Sequence, residues 1–152
     1  MRLTARTHRS IIRRPQSTLV LLGFKGQAGL PWKFMTERES FDVLLLMPSG
    51  ERFIKVGREE HIWDAAFAAG IVLPAMCHQG YCLTCAARLE DVGEVDQSDS
   101  LVYFPEDREG GFVLPCTGKA RSDVRIKTHQ QKEMRQFRKQ KGLPAPYSWD
   151  LD

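Results

Sequence analysis

The first strongly patterned stretch of the chain predicts a β-hairpin. Residues 41–48 (FDVLLLMP) are rich in strand-forming side chains, and residues 48–50 supply the proline, serine and glycine of a tight turn. In residues 51–57 (ERFIKVG), Phe53 alternates with Lys55 in the manner of a half-buried strand. Folded structure is therefore expected to begin at about residue 41.

A helix is predicted after the hairpin. Apolar residues recur at helical spacing through residues 60–69, and Gly70 is suited to end the helix. Trp63 and Phe67 are four residues apart, so they are neighbours on the helix surface and are predicted to pack in the core. The spaced positions are Ile62, Ala65, Ala66 and Ala69.

Short strands and a last helix complete the predicted elements. Residues 86–90, 112–114 and 122–128 are predicted as strands, and residues 92–99 as a turn-rich connection. Residues 130–141 predict a basic helix with a narrow apolar edge, which could pack back on the domain, bind a partner's acidic surface or lie on anionic lipid. The edge consists of Met134, Phe137 and Lys141.

Length and composition indicate one domain of ordinary size. The chain has 152 residues, of which 42% are hydrophobic and 27% charged, as in globular proteins. It is too short to carry a flavin or nicotinamide domain as well, so a partner would have to complete any redox reaction. It has no run of 18 apolar residues, and no membrane span is expected.

The net charge of +3 is unevenly distributed along the chain. Residues 1–39 carry eight Lys/Arg against two Asp/Glu, residues 40–118 carry five against thirteen, and residues 119–152 carry nine against four. We therefore predict a basic N-terminal arm (1–39), a domain at residues 40–129 and a basic C-terminal extension at residues 130–152. Binding of nucleic acid by these basic segments is considered unlikely.

The N-terminal arm allows two interpretations. Residues 1–36 contain no acidic residue and are rich in arginine, serine and threonine, which is typical of an organellar transit peptide. The alternative is a basic extension that stays on the mature protein.

The candidate chemistry lies in the four cysteines. Cys77, Cys82 and Cys85 stand within the run CHQGYCLTC, and thirty residues separate Cys85 from Cys116. This C-x4-C-x2-C…C spacing is one by which four thiolates hold a 2Fe-2S cluster.

Three other interpretations of the cysteines are possible. Disulfides require an oxidising compartment, and the chain shows no secretory signal pattern. A zinc site is a stronger rival, because Cys82 and Cys85 form half of a zinc-ribbon pattern, although such ribbons usually repeat the C-x2-C pair. Unrelated buried thiols are the third interpretation. The spacing favours the cluster over all three.

Three further segments give the chain a specific resemblance. Residues 95–99 (VDQSD), 111–116 (GFVLPC) and 122–129 (SDVRIKTH) run in the order and near-spacing of plant-type 2Fe-2S ferredoxins, so residues 41–129 resemble that family. The resemblance implies an α+β fold of the β-grasp type, with a compact mixed sheet and one principal helix. It also implies a low-potential one-electron carrier, near about −400 mV, rather than an enzyme.

The resemblance implies a ligand set for a 2Fe-2S cluster as the cofactor. Cys77 and Cys82 would bind the iron nearer the surface, and Cys85 and Cys116 the inner iron. Gly80, as a glycine, can take a positive φ and let the loop wrap closely around the cluster, although a glycine in a loop is more often an ordinary turn residue.

Several positions depart from the family pattern. Residues 78–81 read HQGY where an RAGS-like run is usual, and Leu83 replaces a common serine, which makes the rim of the cluster drier. The aromatic residue that helps many of these ferredoxins pass electrons to ferredoxin–NADP reductase would fall at Val102. Residues 130–132 lack the acidic side chains usual after the Thr-His pair. These changes weaken the expectation that the reductase is the partner.

We therefore expect a one-electron carrier that works between a low-potential donor, such as photosystem I or a reductase, and a specialised acceptor. Its partners would be redox proteins, and its location the chloroplast stroma or the cyanobacterial cytoplasm. One alternative is a non-shuttling subunit of a larger photosynthetic or respiratory complex. An iron-sulfur or zinc regulatory module is a third possibility.

Overall fold

A computed structural model of the protein describes residues 38–149. The predicted N-terminal arm, with its possible transit peptide, lies outside the described residues except for positions 38 and 39. The strands are β1 (Ser40–Met47), β2 (Gly50–Gly57), β3 (Ala87–Leu89), β4 (Val95–Asp96), β5 (Phe112–Val113), β6 (Lys119–Ala120) and β7 (Val124–Lys127). The helices are α1 (Ile62–Ala68), α2 (Pro105–Glu109) and α3 (Gln131–Gln140).

The main sheet has five strands in the order β2-β1-β7-β3-β5. The predicted hairpin forms the antiparallel β1-β2 pair, and β1 lies parallel to β7 at the centre of the sheet. Strand β3 pairs antiparallel with both β7 and β5, while β4 and β6 form a separate two-stranded ladder. A mixed sheet with short helices is an α+β arrangement, and it confirms the β-grasp fold class that the resemblance implied.

The main core lies between the inner face of this sheet and α1. Ile54 and Val56 of β2 are buried, whereas Phe53 is 76% exposed, so the apolar face of this strand is the opposite of the one that Phe53 suggested. Phe67 is also exposed, which corrects its predicted place in the core. Trp63 packs partly against the core, and its indole nitrogen donates to the Leu73 carbonyl over 2.9 Å.

A second hydrophobic cluster surrounds the inner cysteines. It includes Met134 of α3, which is fully buried, and Phe137, whose ring centre lies 5.2 Å from that of Phe112. The predicted C-terminal helix is therefore present, and it packs back on the domain. The other buried members are Leu83, Cys85, Ala86, Phe112, Leu114 and Cys116. The boundary between domain and extension at residue 130 stays a prediction.

A buried ion pair fixes α3 to α2. The Arg138 guanidinium donates from Nε to Oδ1 of Asp107 over 2.9 Å and from Nη2 to Oδ2 over 2.7 Å. Both side chains have no solvent exposure. Arg138 also donates to the carbonyls of Val102 and Pro144, and it lies 4.9 Å from the centre of the Phe104 ring. Every part of its charge thus has a partner within the protein.

We expect Arg138→Met to destabilise the protein strongly, because it leaves the Asp107 carboxylate buried without its cation. Loss of one partner of a buried pair costs about 3–5 kcal/mol in free energy of unfolding. Urea denaturation followed by circular dichroism measures the change.

Lys55→Met provides the matched control. Its ion pair with Asp42 is as short, at 2.6 Å, but both side chains are largely exposed. Such pairs contribute at most about 1 kcal/mol. The double variant Asp107→Leu/Arg138→Met should recover part of the loss, since no charge is left buried. Equal effects of Arg138→Met and Lys55→Met would contradict the assignment.

Candidate functional site

The first three cysteines lie on the loop between α1 and β3, and Cys116 follows β5. The loop curves tightly because several of its residues adopt a left-handed backbone. Gly80 has φ 68°, as the sequence predicted, and the side-chain-bearing residues His78 and Leu83 have φ 52° and 63°. Non-glycine residues rarely adopt this conformation, so the path of the loop is held by contacts around it.

The sulfur atoms lie in two pairs. The Cys85 and Cys116 Sγ atoms are 3.2 Å apart and both residues are buried. Interactions with the backbone and side chain of Cys82 help to lower the pKa of the Cys77 thiol, and Cys77 is the only one of the four cysteines that is not buried. Within residues 38–149, no group of three or more histidine, cysteine, aspartate or glutamate side chains is placed to hold a single metal ion.

The two inner thiols differ in pKa. The hydrogen bond with Cys116, followed by burial, raises the pKa of the Cys85 thiol. The same hydrogen bond lowers the pKa of Cys116 to about 7, with further contributions from the Gly80 backbone and the Thr117 hydroxyl. Cys116 is therefore the more readily ionised of the two sulfurs.

The outer pair is stabilised by the backbone of the loop. Burial raises the pKa of the Cys77 thiol, but backbone hydrogen bonds from Tyr81, Gln79 and Cys82 outweigh it, and the net shift is downward. The Gln79 nitrogen donates to the Cys77 sulfur over 3.4 Å. Backbone dipoles thus favour thiolates at this end of the site.

This arrangement fits a 2Fe-2S cluster. Such a cluster needs four thiolates, two for each iron, and backbone N–H groups directed at the sulfurs. Both are present here. The wall beside the inner pair is dry, because Leu83, Leu114 and Met134 have no solvent exposure. Leu83 thus forms part of a drier surrounding, in line with the prediction from its side chain.

The cysteine loop is bonded to the segment that precedes α2. Leu101 donates its N–H to the Gln79 carbonyl over 2.9 Å, and Val102 donates to the Gly80 carbonyl over 3.2 Å. The Val102 carbonyl accepts from Arg138 over 3.1 Å. The Arg138–Asp107 pair thus reaches the loop through one intervening residue.

The C-terminal extension also contacts the loop directly. Arg135 of α3 donates from Nη2 to the Cys82 carbonyl over 3.3 Å and from Nε to the Pro146 carbonyl over 3.1 Å. The hydroxyl groups of Tyr81 and Tyr147 are 3.3 Å apart. Sequence reasoning identified the basic helix but not its contacts with the loop, because Arg135–Cys82 and Tyr81–Tyr147 join residues more than fifty positions apart.

The hydroxyl groups beside Cys116 were missed as well. Ser100 Oγ lies 2.7 Å from Thr117 Oγ1, and an added Cβ at Gly80 would meet both oxygens at 2.7 Å. The place of Thr117 directly after a cysteine was a signal available in the sequence. Nothing in the sequence pattern indicated Ser100.

Comparison with known proteins identifies the group that this chain resembles. A family model described as a 2Fe-2S iron-sulfur cluster binding domain matches residues 46–121. Ferredoxin-2 of Synechococcus sp. is 45% identical over 76 residues, which are 50% of this chain and 71% of that ferredoxin. The heterocyst ferredoxin of Nostoc sp. is 42% identical over 78 residues, which are 51% of this chain and 78% of that ferredoxin.

Two other comparisons extend beyond these cyanobacterial ferredoxins. The chloroplastic ferredoxin-6 of Zea mays is 34% identical over 93 residues, or 60% of this chain and 59% of that protein. The crystal structure of pectocin M2 matches 60% of this chain and 33% of its own, with a TM-score of 0.54 and 32% identity. Among residues 38–149, no helix is both long and apolar enough to cross a membrane.

We expect Gly80→Ala to impair the site. An added Cβ would lie 2.7 Å from the Ser100 and Thr117 oxygens and 2.8 Å from the Ser100 Cα, and the residue would also be strained at φ 68°. The strain alone costs about 1–2 kcal/mol, and the contacts add to it. Iron and sulfide content per chain, together with the urea midpoint, measures the effect.

Gly70→Ala is the matched control, since Gly70 has φ 77° but no atom within 4 Å of an added Cβ. This variant should keep its full iron content. Its free energy of unfolding should fall only by the cost of the strained backbone. If Gly80→Ala retained as much iron as Gly70→Ala, the close fit of the loop would not matter for the site.

Proposed function

We propose a ligand set and a cellular role for this chain, which belongs to the family of plant-type 2Fe-2S ferredoxins. The protein carries electrons by means of a 2Fe-2S cluster and is not an enzyme. The proposed ligands are the four cysteines, with Cys77 and Cys82 on the outer iron and Cys85 and Cys116 on the inner iron. When bound, the cluster takes up and releases one electron at a time.

The pairing of the sulfur atoms is the observation that supports this ligand set best. The two pairs are those expected for two irons, and the pair that includes Cys77 is the more exposed. A backbone N–H group directs partial positive charge at the Cys77 sulfur, and the Gly80 backbone and the Thr117 hydroxyl help to lower the pKa of Cys116. They favour thiolates, and they favour the added negative charge of the reduced state still more.

Protein purified without oxygen should contain two irons and two sulfides per chain and give an EPR signal after reduction. Cys116→Ala should lose the cluster, because it removes an inner ligand from the buried pocket. His78→Ala, a change in the same loop at a residue outside the proposed ligand set, should keep it. Zinc in place of iron, or a full cluster in Cys116→Ala, would contradict the proposal.

The proposed role is that of a single-electron shuttle between a low-potential donor and a specialised acceptor. One domain of this size leaves the second half of the redox reaction to a partner. Cys77 is the most exposed of the four cysteines, so we expect such a partner to approach from its side. The donor would be photosystem I or a flavoprotein reductase, and the location the chloroplast stroma or the cyanobacterial cytoplasm, in keeping with the relatives' origins.

Two features support an unusual acceptor. Val102 stands beside the cysteine loop where the family commonly has an aromatic residue, and its backbone is held by Gly80 and Arg138. The extension adds a different aromatic surface, since Trp149 is 73% exposed and its ring lies 5.1 Å from that of Tyr147. Tryptophan and tyrosine are common anchors of protein interfaces.

Val102→Phe should speed electron exchange with ferredoxin–NADP reductase. We expect an increase of about tenfold, equal to about 1.4 kcal/mol in the activation free energy, because the change restores the family's aromatic contact. Stopped-flow absorption with the purified reductase measures the rate. Leu101→Phe is the control one position out of register. Equal rates for both variants and the parent protein would show that Val102 does not direct partner choice.

The alternative role is a subunit held permanently in a larger electron-transfer complex. The basic segments and the exposed aromatic residues are compatible with such an attachment. Gel filtration of native extract, with detection by antibody, distinguishes the two roles. A shuttle elutes at the size of a single chain, whereas a subunit elutes with the complex.

A further inference from the structure

A chain of hydrogen-bonding groups leads away from Cys116 into the protein. The Thr117 hydroxyl directly follows Cys116 in the chain, is one of the groups that lower the pKa of the Cys116 thiol, and lies 2.7 Å from the Ser100 hydroxyl. Ser100 in turn donates to Gln97 Oε1 over 3.0 Å. Thr117 and Gln97 are almost fully buried, so water does not compete freely for these bonds.

The orientation of the Gln97 amide is fixed by its surroundings. Its Oε1 atom accepts the backbone N–H of Leu114 over 3.3 Å, and a flipped amide would place two donors against each other. Nε2 has no partner within the described residues. Gln97 therefore presents only its amide oxygen, a hydrogen-bond acceptor, to the Ser100 hydroxyl.

The number of hydroxyl protons allows these groups only two complete patterns of hydrogen bonds. Ser100 and Thr117 each have one hydroxyl proton. If Ser100 donates to Gln97, the 2.7 Å contact requires the proton of Thr117, which then does not point at sulfur. If Thr117 donates to Cys116, Ser100 must donate to Thr117 and leave Gln97. The Leu114 carbonyl, 3.4 Å from Thr117 Oγ1, is a weaker third acceptor.

We propose that Thr117 and Ser100 set the reduction potential of the site by changing between these two arrangements. In the oxidised state the Thr117 hydroxyl donates to Ser100, and in the reduced state it turns to the Cys116 sulfur. The inference rests on the proposed function in that Cys116 must be a ligand. The electron comes from the redox donor, and both protons stay on their own oxygen atoms.

The physical reason lies in the charge of the sulfur. Reduction adds one negative charge to the site, and a hydrogen bond to a charged acceptor is stronger than one to a neutral acceptor. The Cys116 sulfur is thus the better acceptor after reduction, and Ser100 competes better before it. Thr117 accordingly stabilises the reduced state, whereas Ser100 stabilises the oxidised state. Both are positioning residues, since they act through Cys116.

The two roles predict potential shifts of opposite sign. Thr117→Val keeps the shape but removes the donor, and we expect the equilibrium constant for one-electron reduction to fall about tenfold, which is about 59 mV more negative. Ser100→Ala removes the competing acceptor, and the constant should rise by about threefold. Thr117→Ser retains the hydroxyl and should stay near the parent value. Spectroelectrochemical titration of the cluster-loaded proteins measures all three.

Thr128→Val is the matched control. Thr128 is equally buried, but its hydroxyl bonds the Leu46 carbonyl and His129 rather than a cysteine. The reduction potential of the Thr128→Val variant should equal that of the parent protein. A Thr117→Val shift no larger than that of Thr128→Val, or a Ser100→Ala shift in the same direction as Thr117→Val, would overturn the inference. Failure of the ligand assignment would appear differently, as an unmodified protein without two irons.

Discussion

Sulfur atoms that carry negative charge cannot be buried without donors directed at them, and this constraint determines the shape of the cysteine loop. Cys85 and Cys116 lie 3.2 Å apart in an apolar pocket, so their donors must come from the protein. The loop supplies backbone N–H groups, and Thr117 supplies a hydroxyl. Turning successive N–H groups inward requires left-handed backbone, which accounts for the positive φ of His78 and Gly80.

The apolar wall of the pocket comes from a distant part of the chain. Met134 of α3 is fully buried beside the inner cysteines, and the same helix carries Arg138 into the interior. A buried guanidinium needs an anion, which Asp107 of α2 provides. Because Arg138 also holds Val102, and Val102 bonds Gly80, the helix, α2 and the cysteine loop are mechanically connected. The C-terminal extension is in this sense part of the site.

Local sequence patterns were sufficient to predict the helices and strands whose structure is determined by their own residues. The hairpin, α1 and α3 were predicted within two residues at each end. In β2, the alternation shows that the strand has two faces but not which of them meets a helix. The buried face is that of Ile54, whereas Phe53 is exposed. Helix α2 was missed, since five residues are too few for a periodic pattern. Pro105 at its start was an available signal.

The candidate site also has features that neighbouring residues determine and features that depend on the fold. Cys77, Cys82 and Cys85 are close in sequence, and their spacing, together with Cys116, favours a 2Fe-2S cluster before the fold is known. The contacts of Arg138 with Asp107 and of Ser100 with Thr117 join residues 31 and 17 positions apart, and only the folded chain brings them together. These long-range contacts determine how firmly the loop is held and which donors reach the sulfurs. The nature of the cofactor is therefore a local property of this sequence, whereas its energetics are a property of the fold.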